Sequence, residues 1–172
     1  KELVKLGFSV TVYNNCEGTK TRPGIYDGVE YRPFSYIPTE TFDILISSRH
    51  ITPFIPDEET FKTFNKVPYS FDFASRLREG VKHKILWMHD TFSDGDLFIE
   101  ELVVNGHIDE IFTLSDFQTS YVTNCDHGKR RNFEVLKNKI FITRNGVNLF
   151  DEWTDVTQKD KNLFVFNAAF TK

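Results

Sequence analysis

The chain has 172 residues, room for one domain of ordinary size or one domain with a piece of a second. With 40% hydrophobic and 27% charged residues it lies among globular proteins, which excludes disordered, collagen-like and low-complexity classes. Its net charge of −4 has the wrong sign for a chain that would draw affinity from neutralising phosphates, so no nucleic-acid partner is expected. Aromatics are in excess, with 18 Phe, 6 Tyr and 2 Trp against a single Met.

The elements follow in chain order. Glu2 to Gly7 reads as the last turns of an amphipathic helix closed by glycine. Phe8 to Tyr13 alternates β-branched and aromatic residues and predicts a strand. The polar stretch Asn14 to Gly24 predicts a loop, Asp27-Gly28 a turn, and Val29 to Phe34 a short strand ended by prolines. Phe42 to Ser48 is nearly continuous in apolar residues, the pattern of a strand covered on both faces of a parallel sheet. Pro56-Asp57-Glu58-Glu59 predicts a helix start, with Phe61 and Phe64 on its apolar side.

Lys84 to Met88 predicts the next buried strand, ending at His89-Asp90. Asp96 to Val103 has helical spacing and stops near Asn105-Gly106. Glu110 to Leu114 predicts a strand, and Ser115 with Gln118 three residues on has the spacing of a capping box opening a helix. A short helix near Arg131 to Lys137 and a strand from Lys139 to Thr143 follow, broken at Arg144-Asn145-Gly146. Both ends read as cut: no Met opens the chain, and the strand-like run Leu163 to Phe166 is followed only by the residues up to Lys172.

Strands alternating with helices predict an α/β fold, a Rossmann-like, doubly wound, mainly parallel sheet. In such sheets ligands bind beyond the carboxyl ends of the strands. The residues to watch are therefore Ser47-Ser48-Arg49, His89-Asp90, Ser115 and Asn145-Gly146. His89 can exchange a proton or a hydrogen bond near neutral pH, or simply pair with Asp90 in a loop; sequence alone leaves both open. Ser115 reads first as a helix cap, and the amides it leaves free would suit an anion. Arg49 and Arg144 could add charge there. Asn145-Gly146 most simply permits a sharp turn.

The remaining patterns exclude more than they offer. His83 with His89 lacks recognised metal-ligand spacing, and Cys125-Asp126-His127 is a poor nucleophile–base geometry. The basic run Gly128 to Arg131 reads as a solvated helix start. No Gly-x-Gly-x-x-Gly, Walker or Gly-x-Ser-x-Gly pattern occurs. No stretch reaches the ~20 apolar residues that span a bilayer, and Cys16 and Cys125 make no disulfide framework. A soluble, cytoplasmic chain with reduced thiols is the expectation.

Taken in order, these segments resemble the N-terminal domain of GT-B-fold glycosyltransferases of the retaining family-four type (glycosyl transferases group one). The resemblance runs through Leu6 to Val12, Asp27 to Arg32, Phe42 to Arg49, Lys84 to Asp90 and Leu114 to Gln118. Ile142-Thr143-Arg144-Asn145-Gly146-Val147-Asn148-Leu149-Phe150 is its most specific piece, similar to the family's "IxNGVDxxxF" signature. It implies an acceptor-side domain over 1–158, lacking its first strand and Gly-rich loop, and a linker with the first strand of a donor-binding domain over 159–172. It further implies a nucleotide-sugar donor, a carbohydrate, lipid-linked or protein acceptor, retention of configuration, and no metal or other cofactor. His89 would contact the donor sugar, Ser115, Asn145 and Gly146 would line the cleft, and Lys172 would meet the donor diphosphate. The paired glutamates of the second domain would have to come from the same or a partner chain. Peripheral membrane contact follows for relatives with lipid-linked acceptors, without a basic amphipathic helix here to support it. A non-catalytic glycan- or protein-binding module derived from such a domain is the competing expectation.

Overall fold

The computed structural model describes residues 1–15, 22–64, 67–89, 96–124 and 133–143. Helix α1 (Glu2–Lys5) opens it, and Gly7 closes it at φ 91°, a left-handed conformation that favours glycine. Strand β1 (Val10–Asn14) follows. Asp27 and Gly28, at φ 52° and 78°, turn β2 (Gly24–Tyr26) into β3 (Val29–Pro33) as an antiparallel hairpin. Sequence reading missed β2, because three residues after a polar stretch carry no alternation to detect. Strand β3 also pairs with β1, parallel, from Val10↔Val29 to Asn14↔Pro33, giving a three-stranded sheet.

The second sheet is parallel throughout and ordered as the chain runs: β4 (Ile44–Ser48), β5 (His83–Trp87), β6 (Glu110–Thr113) and β7 (Ile140–Ile142). A 3-10 turn at Thr52–Phe54, α2 (Glu58–Thr63) and α3 (Phe71–Arg78) join β4 to β5. Helix α4 (Asp96–Val104) joins β5 to β6, and α5 (Asp116–Asn124) with α6 (Phe133–Lys137) joins β6 to β7. The result is a mixed α/β structure with a four-stranded parallel sheet flanked by helices, compatible with a Rossmann-like fold.

Local chemistry explains the helix starts. Asp57 caps α2 by accepting the Thr60 amide at 2.7 Å, within the helix start that Pro56 to Glu59 predicts. Helix α3 went unread in the sequence. Its signals are a cap, Ser70 Oγ accepting from Phe73 N at 3.2 Å, and the buried spacing Phe73, Ala74, Leu77.

One core joins Leu86 and Met88 of the β5 segment and Ile111 of β6 to Ile99, Leu102 and Val103 of α4, Val122 of α5 and Leu136 of α6. Leu45 packs against this core, so one face of the sheet is covered. On the opposite face the cover is uneven: Ile85, in register with Ile46, is buried there, while the β4 edge is open. Ile44 and Ile46 remain 43% exposed, and Phe141, in register with Phe112, is exposed as well. The expectation that Phe42 to Ser48 is covered on both faces is thereby corrected. Sequential order places the crossovers of a parallel run on one side, so the far face needs elements from elsewhere.

The strands also divide into two sheets where one was expected, because among the described residues β1 pairs only with β3 and β4 only with β5. Aromatic packing bridges the division. Phe73 of α3 meets Tyr13 of β1 edge-on at 5.1 Å, Phe34 at 5.7 Å and Tyr69 at 5.3 Å. Much of the aromatic excess in the composition is spent here, at about 0.5–1.5 kcal/mol per ring pair beyond burial. Arg32 braces the Tyr13 side of the junction: Nε and Nη2 donate to the two Glu30 carboxylate oxygens at 2.8 Å each, Nη1 donates to Tyr13 and Glu40, and the guanidinium stacks on Tyr36. The Glu30 hydrogen bond heads the interactions that hold this guanidinium ionised against its partial burial.

Candidate functional site

The carboxyl ends of β5 and β6 lie side by side, because Trp87 and Phe112 are in register. His89 stands two residues beyond that register and Ser115 three, so adjacent strands deliver both to one sheet edge. Two backbone hydrogen bonds fix this edge: Met88 N donates to Phe112 O at 2.8 Å, and Arg49 N to Trp87 O at 2.9 Å. Strand β5 is thus gripped from both sides directly beneath His89.

His89 is half-buried, and its imidazole lies against the Trp87 indole, with ring centroids 4.8 Å apart at a 40° tilt. Both side chains leave the same face of an extended segment, two residues apart. Trp87 Nε1 is buried without a hydrogen-bond partner among the described residues. A desolvated, unpaired N–H of this kind costs about 1–3 kcal/mol. Sequence reading took Trp87 as a strand residue only; its spacing of two from His89 was the signal to use.

Ser115 is exposed and caps α5: its Oγ accepts from Gln118 N at 3.2 Å. Gln118, buried, returns its Oε1 to Leu114 N at 2.7 Å, one residue before the partner that a capping box supplies. Thr113 and Thr119 hydroxyls join at 2.7 Å below it. The turn from β6 into α5 is consequently rigid. Its first turn carries the Asp116 carboxylate and an exposed ring, Phe117, at 72%. Asp116 would oppose an anion at this helix start, so a neutral, hydroxyl-bearing group fits Ser115 better than a phosphate does.

Other strand ends behave structurally. Ser47 is buried, its Oγ donating to His50 O at 2.6 Å. Arg49 turns the chain at φ 74°. His83 Nε2 pairs with Glu110 Oε1 at 3.2 Å at the amino end of β5, six residues or about 20 Å of strand from His89, so the two histidines share no centre. Among the described residues no group of three or more His, Cys, Asp or Glu side chains is placed to hold a metal, and no helix is long and apolar enough to cross a membrane.

The structure therefore brings together His89 and Ser115 of the five expected site residues. Asn145, Gly146 and Lys172 lie outside the described residues, as do Asp90, Arg144, Cys125-Asp126-His127 and the run from Gly128 to Arg131. Comparison with family models, with curated proteins and with solved structures finds no match for this chain.

Proposed function

We propose that the chain is the acceptor-side domain of a retaining, nucleotide-sugar-dependent glycosyltransferase of GT-B arrangement, with a doubly wound first domain. The observation that carries this reading is the convergence of His89 and Ser115 at one carboxyl edge of a parallel sheet. An imidazole held on an indole at such an edge can accept or donate a hydrogen bond to a sugar hydroxyl beside the reacting carbon. The Ser115 hydroxyl, whose oxygen already accepts from Gln118 N, keeps its proton for a ligand oxygen. The resemblance assigns Asn145 and Gly146 to the lining of the cleft and Lys172 to the departing diphosphate, where fixed charge lowers the barrier most.

The donor-binding domain, with the acids that orient the donor sugar, comes from the same polypeptide or a partner. The reaction is metal-independent in this reading, and the acceptor is a carbohydrate, lipid-linked or protein hydroxyl. Turnover of nucleotide sugars by a polypeptide carrying both domains tests it: His89→Ala lowers kcat by orders of magnitude, whereas normal turnover in that variant overturns the role of His89. A second reading, a non-catalytic glycan- or protein-binding module, draws on the exposed Phe117 and Phe141 rings and the bare Ile44 and Ile46. Calorimetry with nucleotide sugars on the polypeptide carrying both domains separates the two, since a binding module of that kind shows no donor affinity.

A further inference from the structure

We propose that Trp87 is a positioning residue for His89, setting the plane of the imidazole at the sheet edge; the inference rests on the assignment of His89 to the donor sugar. His89 lies past the last paired residue of β5, beyond the strand pairing that holds Trp87. The contact that restrains it among the described residues is the Trp87 indole, 4.8 Å away and tilted by 40°. Trp87 itself is held at the centre of the sheet, in register with Ser48 on one side and Phe112 on the other. A ring clamped in a strand is a more rigid backing than a loop side chain, and reacting groups tolerate little misplacement.

The unpaired Nε1 sharpens the argument. A phenylalanine would fill this position without burying a donor that finds no acceptor among the described residues. What the indole adds is a broader and more electron-rich ring system, and it lies 4.8 Å from the imidazole, tilted by 40°. The feature makes sense as orientation of His89 more readily than as fold stability.

Two readouts test this. In the chain itself, NMR of the His89 ring protons reads the stack directly: the indole ring current holds them upfield, Trp87→Leu releases them, and Trp87→Phe moves them part-way. In a polypeptide carrying both domains, Trp87→Leu lowers kcat about tenfold or more while KM for the nucleotide sugar stays within about threefold, and Trp87→Phe restores most of the loss. Should Trp87→Leu fail to fold, the Phe variant still requires the partial resonance shift. Unmoved His89 resonances overturn the stack, and unchanged kcat in Trp87→Leu overturns the positioning role. Full turnover in His89→Ala overturns the assignment of His89 instead, and with it this role in the reaction.

Discussion

Removing the Gln118 side-chain acceptor is the most direct perturbation of the edge that carries Ser115. Gln118→Met keeps the length of the side chain and its burial but leaves Leu114 N–H without the 2.7 Å bond it now makes. An amide orphaned in this way costs about 1–3 kcal/mol, and Leu114 is only half-buried, so the lower half of that range applies. Ser115→Ala removes the cap on Gln118 N and costs about 1 kcal/mol. The two bonds lie in one turn, so the double variant should depart from additivity by about 0.5 kcal/mol or more. Urea unfolding followed by circular dichroism measures all three variants, with the slope m unchanged and only the midpoint displaced. At this chain length each kcal/mol corresponds to about 2–4 °C in Tm. Gln118→Met with the stability of the parent chain would refute the reasoning, because it would mean that the shifted capping box carries no weight.

Three further outcomes follow from the packing. Phe73→Ala empties the ring junction that Tyr13, Phe34 and Tyr69 share and should destabilise by about 3–5 kcal/mol in the same unfolding assay; a loss below 1 kcal/mol would show that the two sheets do not depend on it. Ile46→Lys places a charge on an exposed strand that lacks a second partner among the described residues, and should reduce self-association in sedimentation velocity without lowering Tm. His107 titrates below the ordinary 6.5, first through burial and then through the charges of Lys84 and Arg78. The unfolded chain therefore takes up this proton more readily than the folded one. The stability His107 confers is complete above about pH 6.5 and falls as pH drops from there toward its lowered value; His107→Gln should flatten that part of a stability–pH curve, and an unchanged curve would count against it.

The strand runs, the Asp27-Gly28 turn, the helix start at Pro56 to Glu59 and the cap at Ser115 were legible in the sequence because each is decided within a few residues of itself. Backbone sterics fix the turn, a side-chain oxygen three residues from an amide fixes the cap, and alternation or continuity of apolar residues marks a strand. The same locality let His89 and Ser115 be singled out together, since each directly follows a strand. Short β2 and capped α3 escaped, the first for want of length and the second because its aromatic side chains face a partner distant in sequence.

What the sequence determined by itself is the alternation of elements, their caps and the residues delivered to the carboxyl ends of the strands. Tertiary structure alone decided that the strands fall into two sheets, that Ile44 and Ile46 stand uncovered, and that Trp87 Nε1 is buried without a partner among the described residues. These depend on which surfaces meet across tens of residues. Phe73 reaches back to Tyr13 and Phe34, β5 is held between β4 and β6, and no local pattern encodes who covers whom.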